Sequence, residues 1–393
     1  MLSVENIAQR EDPYQLFLDY FKNENTKRKY CNFLQNFLVL IPSKIYEDNG
    51  IIPPTSKNRD ELARKFVELA HKNIKAAQNI IAAYIKEDKK LVDEKKLHPN
   101  TIPNHIKPIR TLFDSNDIVL NWKNLNRLLP RPQKTDDRAY TQEEIQRMLE
   151  ASPTITDKLI VILFSACGFR VEAWDYFTWK DVEIFKNEDG ELLGGSILVY
   201  RGDPESYTSY FTPEAARYLE HYREVWKGDI GSYPKPDDPL IKTVRFQVVR
   251  RLNYKGIKNR VGKIVDKIGL RPSLESGRRR HEVALDHGFR KYFNTQLRRA
   301  KVDFLDKEDM MGHKVGLEVH YERYTSEKDR FSEYQKAIPF LTISDTERIR
   351  FENKKLRKEK SELTKTQEKL QEALIKLDEL WADKQRMENC LNH

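Results

Sequence analysis

The 393-residue sequence predicts a mainly α protein: a helical N-terminal domain, a mostly helical second domain with a small antiparallel β-sheet, and a C-terminal helix of coiled-coil character. Three observations carry that reading. Apolar residues recur at three- and four-residue spacing from about residue 11 to 129 and through most of 140–342. Short segments that read as strands, separated by turn residues, are confined to 181–212. From 343 onward, isoleucine and leucine recur every seven residues in a background of Lys, Glu and Gln.

The N-terminal domain is expected over 1–129. "PYQLFLDYF" carries Leu16, Phe17, Tyr20 and Phe21 at helical spacing, and "TKRKYCNFLQNFLVLI" puts Tyr30, Phe33, Leu34, Phe37 and Leu38 on one stripe. "ELARKFVELAHKNIKAAQNIIAAYIKE" and "IPNHIKPIRTLF" continue the helical pattern. Residues 130–139, within "LLPRPQKTDDRAYTQEEI", read as a linker, because prolines and mixed charge separate two periodic segments. Thr141 and Glu144 then form a capping box at the start of "QEEIQRMLEAS", so a second domain is expected over 140–342. In it, "DKLIVILFSACGFRVEAWDYF" is an apolar helix interrupted at Gly168. "DVEIF", "SILVY" and "YTSYFT" read as strands, with Thr212-Pro213-Glu214 as the cap and first turn of the next helix. The stretch from about Val244 to Leu341 reads as further helices.

In the tail, 343–393, the seam is Ile349, Leu356, Leu363, Leu370 and Leu377. Ala373 and Leu380 fill the second seam position late, while Glu352, Glu359 and Thr366 weaken it early. The spacing predicts a coiled coil, best formed in its C-terminal half; the alternative is a single solvated helix.

Composition bounds the function. There are 70 Lys+Arg against 61 Asp+Glu, a net charge of +9, which favours a polyanionic partner and says nothing about fold. Cys31, Cys167 and Cys390 are far apart and odd in number, so neither a disulfide framework nor a zinc site is expected, and a reducing compartment is. The N-terminus lacks the apolar core of a signal peptide, and the longest apolar run, "LIVILFSACGF", is too short to span a bilayer. A soluble cytoplasmic protein with no membrane partner is the expectation. No glycine-rich phosphate loop is visible.

The chemistry-bearing residues fall in a fixed order. Arg170 follows the helix-breaking Gly168, "HGFRKYF" supplies His287 and Arg290, and "MMGHKVGLEVHYERYT" supplies His313, Tyr321 and Tyr324. Each has an ordinary reading by itself: a surface arginine, a buried histidine, a helix-stop residue, a packing tyrosine. "GRRRH" and "LRRAK" read equally as solvated faces or as contacts to a nucleic-acid backbone.

Taken in order, Arg, hairpin, His-x-x-Arg, Gly-His, Tyr resembles the tyrosine recombinase (phage integrase) family. The resemblance covers about Leu16 to Leu341, and "GHKVGLEVHYERYTSEKDRFSEYQKAIPFL" is closest to the integrases of archaeal viruses and plasmids. It implies a core-binding domain and a catalytic domain that clamp double-stranded DNA attachment sites, working as a tetramer on DNA, with Phe331 to Leu341 as a segment that docks on a neighbour. It implies site-specific recombination, integration or excision of a mobile element, by transesterification through a 3′-phosphotyrosine, without cofactor, ATP or metal. Arg170 and Arg290 would grip the non-bridging oxygens with planar, permanently charged forks. His287 would take the tyrosine proton or hydrogen-bond the phosphate, and His313 would hold another oxygen. Tyr321, better spaced from His313 than Tyr324, would be the nucleophile.

The sequence departs from the family pattern at two further places. Ala173 stands where an acidic residue is usual, with Glu172 one place early. The hairpin lysine is missing, and Arg201 in "LVYRGDPES" takes its place. Two other readings stay open at this point: type IB topoisomerase-like relaxation of DNA, and a DNA-binding protein with a degenerate site.

Overall fold

The computed structural model describes residues 12–133, 137–245, 248–274, 281–314 and 327–391. The chain divides into two compact units, Met1–Thr135 and Asp136–His393.

The described part of the first unit is helical: α1 (Pro13–Asp19), α2 (Glu24–Leu38), α3 (Ser43–Asp48), α4 (Arg59–Lys72), α5 (Ile74–Asp93), α6 (Ile102–Asp114) and α7 (Trp122–Asn126). Local chemistry sets the ends. The Asp12 carboxylate accepts from the backbone N–H of Tyr14 and Gln15, and the Asn23 side-chain oxygen accepts from Asn25 and Thr26. The long periodic stretch 61–87 is two helices, not one, because Asn73 leaves helical geometry and its side chain caps Ala76. Phe17, Leu34, Phe37, Phe66, Ile81 and Phe113 form the core, with Phe66 stacked on Phe113 at 5.3 Å between centroids.

The second unit is built around α9 (Ile155–Cys167), which follows α8 (Gln142–Ala151). The Thr141–Glu144 capping box opens α8, and Arg138 bonds the Glu144 carboxylate. Every residue of α9 from Leu159 to Cys167 is buried, which is why its sequence is apolar all round rather than along one stripe. Gly168 ends it at φ +60°, and a Cβ there would lie 2.3 Å from the Phe293 ring, so only glycine fits.

β1 (Val182–Lys186), β2 (Leu192–Val199) and β3 (Tyr207–Phe211) form an antiparallel sheet in chain order, with Ile197 opposite Ser209 and Val199 opposite Tyr207. Thr212 caps α10 (Pro213–Ile230) through the Ala215 N–H. The chain then differs from the sequence expectation. Lys242–Arg245 (β4) and Val248–Arg251 (β5) form a second antiparallel hairpin where helices were expected to begin. Four-residue strands are too short to show a period of two against a period of 3.6. Pairing decides them instead, together with the Leu252 N–H bonded to the Ile241 carbonyl.

α11 (Tyr254–Lys267), α12 (His287–Arg299), α13 (Phe304–Met310), α14 (Glu327–Gln335) and α15 (Ile338–Leu341) complete the body. Buried Phe289, Tyr292 and Phe293 lay α12 against α9, with Phe289 stacked on Phe164. The tail is one helix, α16 (Asp345–Leu391), 47 residues long. The protein is thus mainly α with a small antiparallel sheet, as the sequence predicts. Among the described residues no helix is long and apolar enough to cross a membrane.

Candidate active site

Three separate stretches of the second unit converge on Arg290. The start of α12 carries it, the end of α9 turns at Gly168 beside it, and the end of α13 brings His313 to it. Arg290 is 7% exposed. Its Nη1 donates to the Gly168 carbonyl at 2.8 Å, and its Nη2 to the Met311 carbonyl at 2.5 Å. Nη2 also meets His313 Nε2 at 2.7 Å. A guanidinium can only donate, so Nε2 accepts and Nδ1 is left to donate to Glu308 Oε2, 2.5 Å away.

Gly312 makes this possible. Its φ of +64° reverses the chain after α13, and a Cβ would fall 2.3 Å from the Tyr207 ring. Tyr207, at the start of β3, packs on that glycine, and its hydroxyl is buried without a hydrogen bond of good geometry. Arg290 and Arg170 both lie near enough to act on it. Burial raises the Tyr207 pKa above its ordinary value, and the two arginines work against that rise.

Arg170 caps the 3₁₀ turn Val171–Asp175 from extended geometry, two residues past Gly168. Burial lowers the Arg290 pKa; Tyr207 opposes the change and the positive charge of Arg170 adds to it. Among the described residues neither arginine is paired with a carboxylate. Two cations held in each other's field, one of them buried, are arranged to attract an anion. Tyr200 stands next to the pair; its pKa is raised to about 12 by burial, by Tyr207 and by Glu172, with Arg170 opposing. Glu308 is pushed up by burial, yet hydrogen bonds from Lys307 and His313 outweigh this and hold it below the usual carboxylate range.

The other expected residues fall as follows. His287 is exposed at the first position of α12, one turn before Arg290. Arg201 lies in the turn between β2 and β3, but its Nε bonds the buried Asp181 carboxylate and its Nη2 the Lys180 carbonyl at 2.9 Å. Ala173 is fully buried in the core, so an acid three places after Arg170 would lie out of water. Tyr321 and Tyr324 lie outside the described residues.

Sequence reasoning missed Tyr207 and Glu308. Alternation along β3 puts Tyr207 on the face of Ser209 and Phe211, but does not say what that face meets. Glu308 is five residues before His313 and meets it only because the chain reverses at Gly312.

No family model and no curated protein matches this chain. Solved structures do. XerA recombinase aligns at 16% identity and a TM-score of 0.35, over 82% of this chain and 97% of that one. XerH site-specific recombinase bound to a palindromic difH substrate aligns at 14% and 0.44, over 80% and 95%. A lambda integrase dimer bound to a COC′ core site aligns at 14% and 0.42, over 76% and 98%. The structures to which the chain is similar are thus recombinases and integrases.

Proposed function

We propose that this protein is a tyrosine recombinase, a site-specific DNA strand transferase that integrates or excises a mobile element. The observation that carries the reading is buried Arg290, held by the Gly168 and Met311 carbonyls and meeting His313 in the field of Arg170, with no carboxylate on either arginine among the described residues. Permanently charged planar forks fit the non-bridging oxygens of a phosphodiester, whose negative charge grows in the transition state. The order of these residues along the chain matches the family pattern, and the excess of basic residues suits a DNA partner.

In this reading the Tyr321 hydroxyl attacks phosphorus. The bond to the tyrosine oxygen forms as the bond to the 5′-oxygen breaks, so the 3′ end is held on the protein and the 5′-hydroxyl leaves. The phosphodiester energy is kept in the adduct, and a second 5′-hydroxyl reverses the step on a new strand. His287, exposed one turn before Arg290, takes the tyrosine proton, and His287 or water supplies the proton that makes the leaving 5′-oxygen a hydroxyl. His313, bonded through Nδ1 to Glu308 and through Nε2 to Arg290, positions the Arg290 fork at the phosphate. Arg201 acts as a fixed charge, since its guanidinium does not give up a proton to the leaving oxygen. The first unit is the core-binding domain, and assembly is a tetramer on paired sites.

A suicide DNA substrate carrying an attachment site tests the reading. The expected result is a denaturant-resistant adduct mapped to Tyr321, lost in Tyr321→Phe while DNA affinity and its salt dependence persist. No adduct leaves a DNA-binding protein; relaxation of supercoils without recombinant product leaves a topoisomerase. An adduct on Tyr324 moves the nucleophile three residues on.

A further inference from the structure

The long helix α16 is fixed to the body at one end, and its described side chains from Ile349 to Trp381 are exposed. Glu214, buried in α10, accepts from the Ile343 N–H at 2.7 Å and the Ser344 N–H at 3.1 Å, just ahead of the first helical turn. Arg217 pairs with Glu347, and Gln142 donates to the Thr342 carbonyl. Beyond this joint Ile349, Leu356, Leu363, Leu370 and Leu377 are 54–62% exposed. A row of five large apolar side chains on one helix face, all in water, calls for a cover.

Charge decides the cover. If the leucines take the first seam position, Glu352 and Glu359 fall in the second, where identical acids face each other in a two-stranded coil. If they take the d position, Asn353, Lys360, Gln367, Leu374 and Trp381 fall at a, and both glutamates move to g. In a parallel, in-register pair, g residues meet the e residues five places on in the other strand. Asp345 then faces Arg350 and Glu352 faces Arg357, each twice by symmetry; all four side chains are exposed, and the Asp345–Arg348 and Arg350–Glu347 pairs within the helix would be shared with or exchanged for the new ones. Asn353 meets its own copy across the seam, a polar layer that fixes register at some cost in stability. The Lys360 layer weakens the N-terminal half further, while Leu374 and Leu377 supply the attraction.

We propose that α16 pairs with the same helix of a second copy as a parallel, in-register, two-stranded coiled coil. The parallel sense has a structural consequence. The helix is about 70 Å long at 1.5 Å per residue, so an antiparallel pair would put the two bodies at opposite ends, whereas the parallel pair puts both at the joint end. Two DNA-acting bodies are then delivered side by side. The dimer itself does not depend on the recombinase reading and is tested without DNA.

Sedimentation equilibrium of the full chain should give a dimer, and Leu363→Glu with Leu370→Glu should halve the mass. Both positions are exposed, so the body is untouched. A monomeric wild type, or an unchanged mass in the variant, overturns the interface. For orientation, a chain carrying Asn353→Cys and Cys390→Ser is oxidised; Cys31 and Cys167 are buried. A disulfide-linked dimer is expected, because facing a positions are within bonding reach only in the parallel register. A dimer by mass that gives no cross-link overturns the parallel arrangement, since an antiparallel pair holds the two sites on the order of 40 Å apart.

Discussion

Two arginines assigned to one reaction are held in opposite ways. Arg290 sits 7% exposed among backbone carbonyls and a histidine, with no carboxylate beside it among the described residues. Arg201 has a side chain 46% exposed, and its charge is met by Asp181. A buried cation without a counter-ion is costly, and a fold keeps one where an anion completes the site. A cation already paired at the surface has little left to offer a phosphate. The difference ranks the two, although both are basic residues that sequence places in the same scheme.

The strongest way to break that ranking is Arg290→Ala. Cleavage of a suicide substrate should slow by about a hundredfold or more, with DNA affinity nearly unchanged. Arg170→Ala should go the same way, and Arg290→Lys should not restore the rate, because an ammonium cannot replace a planar fork. Equal losses in binding and cleavage would make Arg290 a mere basic contact.

Glu308→Gln sharpens the Arg290 side of the comparison through stability. The Glu308 carboxyl is held below its ordinary value, so its pairing with Lys307 and His313 stabilises the fold above the unfolded-state value and is lost as pH falls through the lower folded one. At pH 7 the variant should be weaker by on the order of 1 kcal/mol, and the gap should close in acid. Urea midpoints measured from neutral to acid pH check this; a gap that stays constant in acid removes the assigned role of the carboxylate.

The smallest effect is expected for Arg201→Ala. A screened, already paired charge contributes less than about 1 kcal/mol, or roughly fivefold in rate. A 5′-phosphorothiolate substrate, whose sulfur leaves without protonation, should not recover that loss. Full recovery would instead identify Arg201 as the proton donor, and a loss as large as that of Arg290→Ala would erase the contrast between them.

Much of the frame was legible because its causes are local. The capping box at Thr141 and Glu144, the cap at Thr212 and the stop at Gly168 depend on a few consecutive residues. So do the turn-bounded strand segments of β1 to β3. The helix break at Asn73 was readable in principle but hidden by continuous apolar periodicity on both sides. β4 and β5 were not readable, because strands of four residues exist only through their partners.

The site divides along the same line. Sequence by itself determined the residue types and their order: Arg170, His287, Arg290, Gly-His at 312–313. Tertiary structure alone decided that Arg290 is held by the carbonyls of Gly168 and Met311, 122 and 21 residues away. It also placed the Tyr207 hydroxyl beside both arginines and closed Arg201 onto Asp181. The physical reason is that every residue carries the same carbonyl and any carboxylate can meet any guanidinium. Such partners leave no mark in the sequence, and only the packing of α9, α12 and α13 selects among them.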